Sequence, residues 1–319
     1  MLYAFTLKNG RLHRLQIEMG EDFHQHATVW IDMFAASEQE VEWVERAYKL
    51  QLPSPEHLRD IEASARFYEH EDNLHLRSDF LSGTESHSHS VAVAFVLAGE
   101  TLISIHENDL PIFRLLRMRR HAESGNIENN RDVLIGLYGM EVEFSADALE
   151  EVYADLGRVS QSVLGSSLSD KQASEALADI ARAEHVNGRI RRNVMDARRA
   201  LSFLVRTKML NPAQVEEVRQ IQHDIESLDG HTSFLFDKIN FLMDATIGFI
   251  NITQNRIVRL FSVVAVALLP PTLIASVYGM NFQFMPELHW RFGYAFALCL
   301  MAISIGVPFW FFYRKGWLK

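Results

Sequence analysis

The chain has 319 residues, with 41 acidic and 31 basic side chains and a formal net charge of −10 at pH 7. This acidic balance, without a recognition motif, argues against a nucleic-acid partner. The sequence contains neither a nucleophile–base constellation nor a glycine-rich phosphate loop, so we expect no enzyme activity and no organic cofactor.

The first 106 residues have the pattern of α/β structure. Apolar and polar side chains alternate over residues 2–17 around Asn9-Gly10, a pair that favours the tight turn of a β-hairpin. A helix is predicted at residues 38–50, and Ser54-Pro55 opens another, with Ser as N-cap and Pro at the first helical position. Further strands are predicted at residues 29–34, 74–81, 90–97 and 101–106.

From residue 109 onward the periodicity is helical. Residues 132–164 and 169–209 place apolar side chains at intervals of three and four. After Asn211-Pro212 the same spacing continues over residues 213–277, which predicts one helix about 100 Å long at about 1.5 Å per residue. We expect such a helix to be a stalk that couples a soluble domain to a membrane segment.

Two uncharged segments near the C-terminus are long enough to cross a membrane. Residues 260–277 and 292–313 contain 18 and 22 residues without a charge, and a spanning helix needs about 20 apolar residues. The second segment contains the single cysteine, Cys299, so no intrachain disulfide is expected. The polar segment between them is predicted to lie at the far side of a membrane hairpin.

Basic residues flank both spans on the same side. Arg256 and Arg259 precede the first span, and three more basic residues follow the second. Because positive residues stay on the cytoplasmic side of a membrane, both termini are predicted to be cytoplasmic. The predicted basic collar consists of Arg256, Arg259, Arg314, Lys315 and Lys319.

The first span carries its uncharged polar residues on one face. Steps of three and four residues from Asn255 reach all of them. One interpretation is packing between helices, where small and polar residues also occur. The other is the wall of a water-filled pore, in which carbonyl groups freed by Pro270-Pro271 would be satisfied. The face consists of Asn255, Val258, Ser262, Ala265, Leu269, Thr272 and Ser276.

The segment after this span resembles a known family. Tyr278-Gly279-Met280-Asn281-Phe282, followed by Met285-Pro286-Glu287-Leu288, is similar to the loop between the two C-terminal spans of CorA magnesium channels. The resemblance extends to residues 254–256, 269–272 and 60–67 and indicates the proteobacterial branch. A second triplet, Tyr138-Gly139-Met140, continues with Glu141 in an amphipathic pattern and is predicted to be ordinary helix.

The resemblance implies a homopentameric funnel in the inner (cytoplasmic) membrane, with the first span lining a pore and the second forming an outer ring. It implies a selectivity filter at Gly279, Met280 and Asn281. It also implies import of Mg²⁺, with Co²⁺ and Ni²⁺ as further substrates, driven by the membrane potential. Polar rings are implied at Thr272 and Asn255, and a negative charge at the entrance is implied at Glu287. A gate is implied at Val258 and Leu269, together with either Phe261, which matches the family position, or Ser262, which lies on the stripe.

Regulation by cytosolic Mg²⁺ is implied by the same resemblance, through metal ions that bridge acidic residues of neighbouring soluble domains. The position that aligns with the family's sensing aspartate is Gln220, and Asp224 and Glu226 lie close to it along the stalk. These two carboxylates are candidate regulatory ligands, with solvated surface charge as the alternative.

Together these features predict an α+β cytoplasmic domain joined by a very long stalk helix to a two-span hairpin. The expected partners are other copies of the chain, membrane lipids and divalent cations.

Two alternatives stay open: a zinc transporter of the same superfamily, which usually has Ile or Val in place of Met280, and a membrane-anchored sensor or scaffold that does not conduct. The predicted bounds are 1–130 (α/β domain), 131–212 (long helices), 213–255 (stalk), 256–281 (first span), 282–291 (external loop), 292–313 (second span) and 314–319 (basic tail).

Overall fold

The computed structural model describes residues 1–53, 66–83, 89–118, 127–165, 169–280, 285 and 290–317. The predicted helix at Ser54-Pro55 and residues 60–65 of the family resemblance lie outside these ranges. Contacts divide the chain into two compact units, the first comprising Met1–Gly165 and Ser174–Met243 and the second Ser166–Ala173 and Asp244–Lys319.

The first unit is built on a seven-stranded mixed sheet. Its strand order is β2-β1-β3-β7-β6-β5-β4, in which β3 and β7 pair in parallel and the other neighbours are antiparallel. The strands are β1 (Leu2–Lys8), β2 (Arg11–Leu15), β3 (Thr28–Phe34), β4 (Phe67–His70), β5 (Asn73–Ser82), β6 (His89–Ala98) and β7 (Thr101–His106), with a short 3-10 helix at Phe23–His26 and helix α1 at Glu38–Tyr48.

Two turns show where sequence signals succeed and where they fail. The predicted hairpin is confirmed, since Asn9 and Gly10 both take positive φ (54° and 70°) between β1 and β2, as a type I′ turn requires. Strand β4 was not predicted. Its turn to β5 places Glu71 and Asp72 at positive φ (49° and 63°), a conformation that glycine or asparagine usually signals.

The core lies on both faces of the sheet. Because successive strand residues point to opposite faces, Ile31 and Met33 pack with Val44 of α1 on one side. The other face buries an aromatic cluster in which Phe95 and Tyr138 have ring centroids 5.7 Å apart. The cluster also includes Trp30, Phe80 and Phe113.

In the described part of the chain after the sheet there are five helices: α2 (Pro111–Met118), α3 (Asn130–Leu164), α4 (Asp170–Arg206), α5 (Pro212–Tyr278) and α6 (Gly293–Arg314). The predicted long helix is confirmed as one element of 67 residues, with Pro270 and Pro271 inside it. The predicted 169–209 helix ends at Arg206, because Lys208 turns to a positive φ of 58°. The Tyr138-Gly139-Met140 triplet is helical, as predicted.

Polar contacts fix the first part of α5 to α3 and α4. The Asn187 amide donates to the Thr232 carbonyl at 3.0 Å, and the Arg191 guanidinium lies 3.2 Å from the Asp229 carboxylate. The Tyr153 hydroxyl and a ring nitrogen of His231 are 3.0 Å apart. The stalk is therefore anchored in the first unit before it continues as the first helix of the second.

Candidate functional site

The second unit contains both candidate membrane spans. Each of the helices α5 and α6 has an apolar window long enough to cross a membrane, and only 11% and 6% of those windows is buried. A core helix of a soluble protein would bury most of such a surface. The exposed apolar side chains therefore favour a lipid environment for both helices.

The basic residues that flank the two apolar helices are separated from the intervening loop by similar lengths of helix. Arg256 is 22 residues before the end of α5 at Tyr278, and Arg314 is 21 residues after the start of α6 at Gly293. At about 1.5 Å per residue each helix covers about 32 Å, close to the hydrocarbon thickness of about 30 Å. Aromatic side chains that typify membrane interfaces stand at both ends of α6, among them Trp290 and Trp310.

The two faces of α5 differ in the second unit. Val263 and Ala267 are fully buried. At about 100° per residue, the polar stripe predicted from the sequence is centred about 150° around the helix from them. All seven side chains of this stripe are exposed in the protomer: Asn255, Val258, Ser262, Ala265, Leu269, Thr272 and Ser276.

Phe261, the other gate candidate, is 69% exposed. It lies about 70° from the centre of the stripe and also turns away from Val263 and Ala267. Both Phe261 and Ser262 are therefore exposed on the side of α5 away from Val263 and Ala267, and both stay candidates for the gate.

The hydroxyl groups of the stripe donate to their own helix. Ser262 Oγ donates to the Val258 carbonyl at 2.8 Å, and Thr272 Oγ1 donates to the Leu268 carbonyl at 2.7 Å. Each hydroxyl proton is therefore engaged by the backbone, and the oxygen lone pairs stay available as acceptors. Water molecules that hydrate a cation present their hydrogens outward, so acceptors are the groups that suit them.

Two consecutive prolines alter the backbone below the end of α5. Pro270 and Pro271 have no N–H, so the carbonyl groups of Val266 and Ala267 receive no helical hydrogen bond from them. Carbonyl groups released in this way inside a membrane need a polar partner, such as water in a cavity. The helix nevertheless continues to Tyr278.

The predicted filter begins where α5 ends. The Gly279 amide donates to the Ala275 carbonyl at 2.9 Å, and the Met280 amide donates to the Val277 carbonyl at 3.3 Å. The Met280 side chain is 47% exposed. Asn281 and Glu287, like Lys319 of the collar, lie outside the described residues.

The cations of the collar that the structure describes are all exposed. Arg256 and Arg259 lie on α5. The Arg314 guanidinium lies 4.9 Å from the centre of the Trp310 ring, and the Lys315 ammonium lies 5.1 Å from that of Phe311.

The candidate regulatory carboxylates, Asp224 and Glu226, are exposed on the stalk. Within one protomer, the described residues include no group of three or more His, Cys, Asp or Glu side chains that could hold a metal ion. The two carboxylates therefore stay candidates only for a site shared between copies of the chain.

Sequence reasoning overlooked one buried carboxylic acid, Glu141 of α3. It is fully buried, and its Oε1 accepts a hydrogen bond from the Leu81 amide at 2.9 Å. Burial raises its pKa to about 8. The amphipathic pattern around Glu141 gave no local signal, because the partner strand lies 60 residues away in sequence.

Comparison with known proteins places this architecture among ion transporters. The family described as CorA-like Mg²⁺ transporter protein matches residues 25–314. Proteins named magnesium transport protein CorA from Yersinia pseudotuberculosis and Escherichia coli K12 are each 43% identical over 319 residues, which is 100% of both chains. The solved structure of a CorA magnesium transporter from Methanocaldococcus jannaschii superimposes with a TM-score of 0.78 at 17% identity, covering 99% of this chain and 98% of the other.

Proposed function

The chain belongs to the CorA-like Mg²⁺ transporter family, and on that premise we propose that it forms a voltage-driven channel that imports Mg²⁺ across the inner membrane. Co²⁺ and Ni²⁺ are proposed as further substrates. Both termini lie in the cytoplasm, in agreement with the basic residues at the inner ends of α5 and α6.

The observation that carries this proposal is the exposed polar stripe of α5. Val263 and Ala267 are buried on one side of the helix, while the stripe faces away from them and is exposed in the protomer. Five copies arranged as a ring would bring five stripes together around an axis and leave α6 on the outside. Asn255 and Thr272 then form polar rings, and Val258 and Leu269, with Phe261 or Ser262, form the gate.

The proposed filter residues, Gly279, Met280 and Asn281, suit a hydrated divalent ion. Mg²⁺ gives up its water reluctantly and is usually bound with several waters in place. Amide and carbonyl oxygens can accept hydrogen bonds from that water without removing it. Five buried carboxylates would bind the ion too tightly for conduction, so the charge of Glu287 is placed at the entrance and the neutral Asn281 in the filter.

The membrane potential is sufficient as the driving force. Each elementary charge gains about 2.3 kcal/mol per 100 mV, so a divalent ion gains about 4.6 kcal/mol on entering at about −100 mV. With about 1.4 kcal/mol for each factor of ten, this corresponds to accumulation by more than about a thousandfold. Cytosolic Mg²⁺ that bridges neighbouring copies at Asp224 and Glu226 is proposed to close the channel.

Ion flux into proteoliposomes at an imposed inside-negative potential tests the proposal. Mg²⁺, Co²⁺ and Zn²⁺ are compared for the wild type, for Asn281→Ala and for Asn240→Ala, a matched control at an exposed stalk position. We expect Mg²⁺ uptake that grows with voltage, is lost in Asn281→Ala and is unchanged in Asn240→Ala. Zn²⁺ uptake that depends on a proton gradient, with little Mg²⁺, would favour a zinc transporter. Absence of any flux from assembled protein would favour an anchored sensor or scaffold.

A further inference from the structure

The last turn of α6 presents a group of hydrogen-bond donors that ion transport does not require. Trp310 and Tyr313 are 60% and 61% exposed, and Arg314 beside them is exposed too. We call these three residues the C-terminal patch. The guanidinium of Arg314 lies over the Trp310 ring, 4.9 Å from its centre, which is within the range of a cation–π contact.

The chain beyond the patch is folded back in a defined way. Gly316 takes a positive φ of 74°. Its amide donates to the Tyr313 carbonyl, and the Trp317 amide donates to the Phe312 carbonyl, both at 3.1 Å. These are the two hydrogen bonds of a Schellman motif, completed by stacking of Trp317 on Phe312 with ring centroids 5.1 Å apart. The helix end is therefore fixed, and so is the direction in which the patch points.

The patch turns away from the rest of the second unit. The buried residue of α6 is Ala297. At about 100° per residue, Trp310 and Tyr313 lie about 140° and 160° around the helix from Ala297. If α6 spans the membrane, as the proposed function requires, the patch meets lipid at the depth of the headgroups, level with Arg256 of α5.

The polar groups of the patch are donors, and Arg314 adds a positive charge to them. The indole N–H, the phenol and the guanidinium can all donate. From residue 245 to the end of the sequence the single acidic residue is Glu287, in the loop at the opposite end of α6. Among the described residues, neither Arg314 nor the adjoining Lys315 forms an ion pair.

We propose that the C-terminal patch is a binding site for the headgroup of an anionic phospholipid. The phosphate oxygens would accept from Arg314, Trp310 and Tyr313, and Lys315 would add charge. An anionic headgroup fits this set because it offers acceptors and a net negative charge, whereas the choline of a zwitterionic lipid would be repelled by Arg314 and Lys315. Basic clusters directly cytoplasmic of a membrane helix attract anionic lipids on the same physical grounds.

Native mass spectrometry of the full-length protein in neutral detergent measures this binding without any ion flux. The probes are dioctanoyl phosphatidylglycerol and dioctanoyl phosphatidylcholine, added separately to wild type, to Arg314→Gln and to the double variant Arg314→Gln with Lys315→Gln. The matched control is Arg291→Gln, which removes one exposed positive charge near the opposite end of α6. Trp310→Phe keeps a ring under the guanidinium and removes the indole donor.

We expect phosphatidylglycerol to bind more tightly than phosphatidylcholine, with the preference falling about fivefold for each inner cation removed. Arg291→Gln should keep the wild-type preference, and Trp310→Phe should weaken it. Equal binding of the two lipids, or a preference that survives the double variant, would overturn the inference. A transport defect would leave these results unchanged, so the lipid site and the proposed channel fail or succeed separately.

Discussion

The side chain of Glu141 is an acid that the fold keeps from water. It is fully buried between α3 and β5, and Ser145 Oγ lies 3.4 Å from its Oε1. Desolvation is the main cause that raises its pKa to about 8, with the Asp79 carboxylate adding to it and hydrogen bonds opposing it. Glu141 is therefore neutral at pH 7 and can donate a proton of its own.

The stability of the first unit should consequently fall as pH rises. The folded chain keeps a proton that the unfolded chain releases near the ordinary carboxyl pKa, so stability is lost between about pH 4.5 and pH 8. Glu141→Gln keeps the shape without the charge and should flatten this dependence, with a gain on the order of 5 kcal/mol above pH 8. Thermal unfolding against pH measures it, with exposed Glu150→Gln of the same helix as the control. An unchanged slope in Glu141→Gln would contradict the assignment.

Gly279 is required by the close approach of the backbone where α5 ends. A Cβ placed there would lie 3.1 Å from the Ala275 carbonyl oxygen, which accepts the Gly279 amide. Gly279→Ala should therefore shift the first residue of the proposed filter and reduce Mg²⁺ flux severalfold. Gly306→Ala in α6 is the control, because a Cβ there meets nothing within 4 Å. Wild-type flux in Gly279→Ala would show that this contact does not position the filter.

At the scale of the element, helix α5 has two parts with different surroundings. Its first part is held by polar contacts to α3 and α4, such as that between Asn187 and Thr232. Its second part exposes the polar stripe and contains two prolines. Periodicity alone predicted that these parts are continuous, because apolar spacing of three and four residues does not change when the surroundings change from water to lipid.

The two prolines of α5 should lower stability in exchange for an altered backbone in the proposed pore. A proline inside a helix removes one hydrogen bond and costs up to about 3 kcal/mol. The double variant Pro270→Ala with Pro271→Ala should therefore raise the unfolding temperature while lowering Mg²⁺ flux, since the carbonyl groups of Val266 and Ala267 regain their donors.

Pro308→Ala provides the comparison, because Pro308 lies inside α6, in the proposed outer ring. It should raise the unfolding temperature and leave flux unchanged. Both quantities are measured on the same preparations in proteoliposomes. Full flux in the α5 double variant would show that Mg²⁺ transport does not depend on these two prolines.

At the scale of the whole molecule, the sequence predicts the succession of helices and strands along the chain better than it predicts the contacts between them. The α+β region, the very long helix and the two apolar C-terminal helices follow in the predicted order, because periods of two and of three to four residues are local properties. Strand β4 was missed because Glu71 and Asp72 form its turn without glycine. The burial of Glu141 depends on Leu81, 60 residues away, and no local pattern encodes that contact.

The sequence likewise predicted one part of the candidate site and left another part unresolved. The stripe was found from spacing alone, and its seven side chains are exposed on the side of α5 away from Val263 and Ala267. The choice between Phe261 and Ser262 was not resolved by spacing, and both are exposed in the protomer. That choice depends on how the copies meet in the proposed pentamer, which is a property of the assembly and not of the single chain.

The central claim is that the polar stripe of α5 lines the ion pathway. Cysteine modification during Mg²⁺ flux tests this claim most directly. Cys299 is the single cysteine of the chain, so Cys299→Ser gives a cysteine-free background. Into it are placed Ser262→Cys, on the stripe, and Val263→Cys, at the adjacent buried position. A positively charged methanethiosulfonate reagent should block flux through Ser262→Cys and leave Val263→Cys unaffected. Block of Val263→Cys alone, or full flux after complete modification of Ser262→Cys, would contradict the account.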